Sequence, residues 1–327
     1  MGPVARASSS SFNAGGSSRA DELPHAPNRF GNKPPGQTYP GVEPVVYDPD
    51  EVIVPPFLPD VPECRAELAQ YYQSISRVDQ GLGRLFEILK QTGQWDNTLV
   101  IFISDHGIAF PGAKTTVYEP GLRSPCIVRG PRVDSRGVVS DAMISWVDIT
   151  PTILDFAGAK PPAEPALHGR SFMPVLEQKD AGQKDVEQND ADGWDEIYAS
   201  HTFHEITMYY PMRVVRGRRY KLIWNLAHPL PFPFASDLWV APTWQAQYQQ
   251  GPQASYGAKT VGNYLHRPQF ELYDLKADPH EGHNLAGDPQ HAELLERLKD
   301  ELRNFQVRTA DPWKLKWKYK LKPYITQ

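Results

Sequence analysis

Asp105 and His106 stand side by side in Ser104-Asp105-His106-Gly107, directly after the apolar run Leu99-Val100-Ile101-Phe102-Ile103, with Lys114 shortly beyond. An aspartate offers a hard anionic oxygen and a histidine a borderline nitrogen, so the pair is a two-donor set for a divalent cation. Gly107 lets the chain turn away so that both side chains can face one ion. A lysine near such an ion would neutralise charge gathering on the leaving group of an anionic, oxygen-rich substrate. Taken alone, the tripeptide reads as well as a turn or helix cap, and a lone lysine reads as a solvated surface group. Position gives them weight.

The elements around them supply that position. Asp60-Val61-Pro62-Glu63 has the form of a helix start, with Asp60 as N-cap. Leu68, Tyr72, Ile75, Val78, Leu82, Leu85, Phe86 and Leu89 then recur at helical spacing up to Gly93. The Leu99–Ile103 run is short, apolar and β-branched, as expected of a strand covered on both faces. "PCIVRG" reads as a second such strand. "VDITPTILDFAG" reads as a helix with Thr150 as N-cap, Pro151 in its first turn and Gly158 beyond its end. Helix followed by buried strand implies an α/β fold with a mostly parallel sheet sandwiched by helices, and ligands gather at the carboxyl ends of such strands. Further on, "MRVVRGRRYKLIWNL" reads as a hairpin about Gly217, "QFELYDL" as a strand, and "DPQHAELLERLKDELRNF" as an amphipathic helix with Leu294, Leu295, Leu298 and Leu302 on one face. The expected organisation is a leader over 1–22, an α/β domain over 23–180, an exposed insertion over 181–194, and a smaller antiparallel sheet plus helix over 195–327.

Composition narrows the classes. A chain of 327 residues can bury a substantial core. Its net charge of -5 gives no global field for nucleic acid. No apolar run reaches the roughly 20 residues of a membrane span. "MGPVARASSSSFNAGGSSRA" lacks the apolar core of a signal peptide and reads as a Ser-rich leader. Cys64 and Cys126 lie far apart without a CxxC, which favours two free thiols over a disulfide or a cysteine zinc site.

"NTLVIFISDHG", "GAKTTVYEPGLRSP" and "SWVDITPTILDFAG" together resemble the sulfatase family of the alkaline phosphatase superfamily. "HTFHEITMYYPMR", "PFPFASDLWVAPTW" and "ELYDLKADPHEGHNLA" narrow the likeness to its sulfamidase branch. The resemblance runs from about His25 through most of the chain. It implies an alkaline-phosphatase-like fold, here N-terminally truncated. It also implies hydrolysis of sulfamate or sulfate ester groups on sugars such as the N-sulfoglucosamine of heparan sulfate, with a glycosaminoglycan as partner. By the same likeness, Asp105 and His106 match ligands of the family's calcium ion, Lys114 matches its basic sulfate contact, and His25 in "LPH" its active-site histidine. His204, Glu205 and Arg213 match its sugar-recognition region.

Two departures from the pattern carry consequences. A histidine at position 106, where sulfamidases usually carry asparagine, admits manganese or another transition ion beside calcium. The family's paired N-terminal aspartates and its Cys-x-Pro-x-Arg segment, source of the formylglycine nucleophile, are missing, since neither Cys64 nor Cys126 is followed two positions on by proline. A chain lacking its covalent catalyst would keep at best a residual rate. Two other readings therefore stand beside the hydrolase: a non-catalytic remnant that binds sulfated glycans, and a phosphonate or phosphate ester hydrolase of the same superfamily. Family members are lysosomal or exported. The sequence leaves both location and a homodimeric state open.

Overall fold

The structure is a computed structural model describing residues 29–34, 36–133, 137–177, 193–205 and 208–318. In chain order its helices are α1 (Pro62–Gln91), α2 (Glu119–Leu122), α3 (Ile149–Phe156), α4 (Met173–Leu176), α5 (Ser236–Trp239), α6 (Pro242–Tyr248), α7 (Val261–Leu265) and α8 (Ala292–Arg308). The strands are β1 (Val100–Ile103), β2 (Cys126–Arg129), β3 (Glu196–His204), β4 (Met208–Gly217), β5 (Tyr220–Asn225), β6 (Ser255–Tyr256), β7 (Lys259–Thr260) and β8 (Phe270–Asp274). The chain divides into two compact units that interleave in sequence. Among the described residues no helix is long and apolar enough to cross a membrane.

The first unit takes the chain up to Thr98, then Ile108–Lys114 and Phe234–Leu265. Its long helix α1 begins one residue later than expected, with Val61 as an N-cap that offers no side-chain hydrogen bond. Asp60 instead takes Arg65 in a two-pronged ion pair at 2.5 and 2.7 Å, which competes with capping. Helix α6 has the same deficit, since its N-cap is Ala241. Buried Glu67 of α1 fills it by accepting hydrogen bonds from the Thr243 amide, at 2.8 Å, and from the Thr243 hydroxyl. A carboxylate at a helix start satisfies orphan donors and complements the dipole. Trp244 is fully buried with Phe234, Tyr256 and Tyr264 packed around it.

The second unit holds Leu99–Gly107, Thr115–Pro233 and the chain from His266 onward. Its main sheet runs β3-β4-β5-β8, every pair antiparallel. The expected hairpin is present, turning at Arg218-Arg219, just beyond Gly217. Leu298 and Leu302 of α8 pack with Val215, Leu222, Trp224 and Leu272 of the sheet, as the leucine stripe predicts. Helix α3 starts at Ile149 behind a 3-10 turn over Trp146–Asp148, not at Thr150. Asp148, not Thr150, stands at its N-cap position without a side-chain bond to the helix; its carboxylate instead accepts from the Ser145 and Arg170 amides at 2.8 and 2.9 Å. Gly158, at φ +66°, closes the helix as expected.

The sheet direction departs from expectation. Strands β1 and β2 pair antiparallel, Ile101 opposite Val128 and Phe102 opposite Ile127, and all four residues of β1 are half-buried. A parallel core is not seen among the described residues. An apolar β-branched run reports how well a strand is covered, not the direction of its neighbour. The expected insertion falls mostly on residues 178–192, outside the described residues.

Under the sheet lies a buried ionic cluster. Lys221 of β5 reaches Glu281 at 2.8 Å and Glu119 of α2 at 3.2 Å, and Arg216 of β4 reaches Glu119 at 3.0 Å. Burial works to raise the Glu119 carboxyl, but Lys221 and Arg216 outweigh it and hold it below its ordinary value. For Glu281 burial prevails and the carboxyl titrates above its ordinary value, with Lys221 only partly opposing. Removing one partner of a buried pair costs about 3–5 kcal/mol because the other charge stays buried. Lys221→Met should therefore lower unfolding stability by about that much at pH 7 in urea titration. Because the folded-state pKa of Glu281 is raised, its contribution is fully present below the unfolded value and fades as pH rises. Without Lys221 to oppose burial the Glu281 carboxyl is raised further in the variant, so protonation as the pH falls stabilises the variant more than the native protein, and its deficit should shrink as the pH is lowered from 7 towards 5.

Candidate functional site

Strand β1 delivers Ser104-Asp105-His106-Gly107 at its carboxyl end. The Asp105 Oδ1 and His106 Nε2 atoms lie 3.7 Å apart. His106 Nδ1 sits 2.6 Å from the Gly107 carbonyl oxygen, an acceptor only, so Nδ1 donates there and Nε2 is the ring nitrogen left to meet an ion beside Asp105. A backbone carbonyl on the far nitrogen is how a metal-binding imidazole has its tautomer and ring orientation set. Asp105 Oδ1 also accepts from the His106 amide at 3.1 Å, which fixes the carboxylate. Asp105 is 86 % exposed and His106 34 %, so the two donors open to solvent rather than to an apolar interior. They fit a divalent cation as two donors, one oxygen and one nitrogen, out of the six to eight a calcium ion takes.

Gly107 earns its place by contact, not by an unusual torsion. Its φ is not positive, and a Cβ there would fall 1.7 Å from the Pro120 carbonyl oxygen. Its amide donates to the Gly121 oxygen at 3.2 Å, so the turn after the strand is laid directly on α2.

Lys114 belongs to the first unit. Its Nζ is 2.7 Å from Asp237 Oδ2 of α5, and the lysine side chain is only 16 % exposed. The expectation of a solvated surface lysine fails here: the ammonium is held by a carboxylate 123 residues away. Nothing local in the sequence announces Asp237 as its partner.

His204 and Glu205 come together at the end of β3, Nε2 to Oε1 at 3.8 Å, with Glu205 at φ +58°, a left-handed conformation unusual outside glycine. Arg213 lies on β4 opposite Ser200 and is nearly buried. Its guanidinium grips Asp311 with two hydrogen bonds, at 2.6 and 3.1 Å, and also donates to the His201 carbonyl. A side chain so engaged anchors the segment after α8. His25 lies outside the described residues.

Sequence reasoning passed over His201. Its Nδ1 lies 3.2 Å from the Tyr210 carbonyl oxygen, and its buried Nε2 has no hydrogen-bond partner. Burial, with Arg267 and Arg213 adding to it, lowers its pKa and keeps the ring neutral at pH 7. No local pattern in the sequence marked it.

Two family models match the chain, Sulfatase over residues 22–159 and the C-terminal region of N-sulphoglucosamine sulphohydrolase over residues 109–230. Human N-sulphoglucosamine sulphohydrolase is 40 % identical over 296 residues, which is 87 % of this chain and 57 % of the relative. The chain belongs to the sulfatase family. A solved structure of a protein in complex with its substrate D-glucosamine-2-N,6-O-disulfate superposes with a TM-score of 0.53 at 25 % identity, covering 78 % of this chain and 44 % of that one. The phosphonate monoester hydrolase of Agrobacterium radiobacter shares the fold, with a TM-score of 0.51 at 21 % identity over 76 % of this chain and 42 % of that one. The fold is thus the alkaline-phosphatase-like one of sulfatases, and the chain spans about half the length of the relatives it matches.

Gly107→Ala tests the geometry of the turn. Forcing a methyl into backbone costs about 1–3 kcal/mol and must shift one of the two segments. The expected outcome is a lower melting temperature together with weaker cation binding. An unchanged melting curve would show that the Pro120 contact does not hold the turn.

Proposed function

We propose that this chain carries the C-terminal part of a sulfatase acting on sulfamate or sulfate ester groups of sugars, of the N-sulfoglucosamine type found in heparan sulfate. The observation that carries the reading is the 3.7 Å convergence of Asp105 and His106 in a chain 40 % identical to an N-sulphoglucosamine sulphohydrolase. Asp105 and His106 would hold a divalent cation, calcium or manganese. When bound, such an ion polarises the sulfuryl oxygens. Lys114, its ammonium placed by Asp237, neutralises charge on the sulfuryl group and the departing sugar. His25 assists the leaving group. His204 and Glu205 bind sugar hydroxyl or amine groups, and Arg213 supports them by tying β4 to Asp311.

A second reading, a glycan-binding remnant without turnover, is favoured by one observation: neither cysteine offers a nucleophile. Burial pushes the Cys64 thiol up to about 12, and burial also raises that of Cys126. A thiol that far above neutrality holds almost no thiolate at pH 7.

One experiment separates the two. The chain is fused behind the N-terminal segment of the human relative that it does not cover, and inorganic sulfate released from N-sulfoglucosamine is measured alongside calcium and manganese binding. The hydrolase reading expects sulfate release that falls at least about 100-fold in Asp105→Ala and in Lys114→Ala, with cation affinity lost only in the former. Cation and sugar binding without release would favour the remnant. Absence of both would contradict the assignment of Asp105 and His106.

A further inference from the structure

The overall charge is -5, yet between Arg303 and Lys318 five cations (Arg303, Arg308, Lys314, Lys316 and Lys318) meet a single acid, Asp311. That acid is spent internally on Arg213. Arg303 pairs with Asp300 at 2.7 Å, whereas Arg308, Lys314, Lys316 and Lys318 make no carboxylate pair among the described residues. We propose that the segment Pro312–Lys318, together with Arg308 at the end of α8, is a docking surface for a sulfated polysaccharide chain. This identification of the partner rests on the glycan reading above.

The segment is pinned in place. Trp317 stacks on Trp224 of β5 with ring centroids 3.8 Å apart, and the Arg303 guanidinium lies over its ring at 4.4 Å. Its Nε1 donates to Gln306 at 2.6 Å, Gln306 donates to Asp311 at 2.9 Å, and Asp311 also receives the Trp313 amide at 2.9 Å. A continuous chain of hydrogen bonds thus runs from Trp317 through Gln306 and Asp311 to Arg213. Cations on an ordered scaffold bind a polyanion without the entropic cost of ordering the scaffold first.

The surface chemistry favours one polyanion over others. Trp317 is taken up in stacking, and Trp313 lies against Tyr209 and beneath Lys316, with ring centroid distances of 6.0 Å in each case. What faces solvent is ammonium groups with the aliphatic side chains of Leu315 and Val307, 54 % and 66 % exposed. Single-stranded nucleic acid would call for exposed rings on which bases stack, and a bilayer for aromatic groups free to insert. A pyranose chain bearing discrete sulfates presents anions for the lysines and apolar C–H faces for the aliphatic groups.

The test uses the full chain in EDTA, so that neither a cation nor turnover contributes. Affinity for a size-defined heparin oligosaccharide is measured across a salt series, for the native chain and for Lys314→Glu/Lys316→Glu/Lys318→Glu. The expected result is at least a roughly 30-fold loss in the variant and a log-log salt slope shallower by about 2–3, with an unchanged melting temperature. The milder triple substitution to Gln should show the same direction if the Glu variant unfolds. Retained heparin affinity in both variants overturns the proposal. So does equally tight native binding to single-stranded DNA or to phosphatidylserine vesicles. Because sulfate release is not read, a failure of the hydrolase assignment would leave this result standing, and the reverse also holds.

Discussion

The second unit turns on one buried carboxylate. Glu119 opens α2, the four-residue helix on which the Asp105–His106 turn is laid, and it is clamped by Arg216 of β4 and Lys221 of β5. Its amide in turn donates to Glu281 at 2.6 Å. So short a helix has no stability of its own, and the ion pairs position it on the four-stranded sheet. Gly107, lying against the Pro120 carbonyl, then transmits that position to the strand end. The path from sheet to candidate ligand is therefore continuous: β5, Lys221, Glu119, Pro120, Gly107 and His106, whose Nδ1 closes the chain on the Gly107 oxygen. A cluster buried this way is costly to desolvate, and the return is placement of the loop rather than net stability.

Electrostatic neutralisation recurs in the other parts of the candidate machinery. Lys114 is held by Asp237, Arg213 by Asp311, and each cation sits where a carboxylate from a distant stretch of chain puts it. For Asp311, burial works to raise the carboxyl, and Arg213 with Gln306 reverses that and holds it below its usual range. These pairs have different consequences. Asp237 is half exposed and can share Lys114 with an incoming anion, whereas Asp311, its side chain 11 % exposed, keeps Arg213 for structure.

Much of this was legible in the sequence, and the rest was hidden for identifiable reasons. Apolar spacing located α1 and α8, and apolar β-rich runs located the β4–β5 hairpin and β8; α8 buries its leucine face, whereas Ile75, Val78 and Leu85 of α1 stay exposed, and β5 and β8 are covered along nearly their whole length. The strand-end position of the Asp-His-Gly turn was legible from the apolar run that precedes it. The reason for its glycine was not, because a clash with Pro120 is a tertiary fact. Asp60 reads as an N-cap in isolation and loses that role to its Arg65 ion pair, and Thr150 falls inside α3 because a 3-10 turn over Trp146–Asp148 leads into the helix at Ile149. The antiparallel sense of β1 and β2, the Asp237 partner of Lys114 and the Asp311 partner of Arg213 depend on residues far apart in sequence, and no local pattern encodes them.

The central claim is that one oxygen of Asp105 and one nitrogen of His106 share a single ion. X-ray absorption at the manganese edge of the Mn2+-loaded chain reads the coordination shell directly. The account predicts one imidazole nitrogen among oxygen ligands, and its disappearance in His106→Asn while manganese remains bound. An all-oxygen shell in the native chain, identical in His106→Asn, would contradict it.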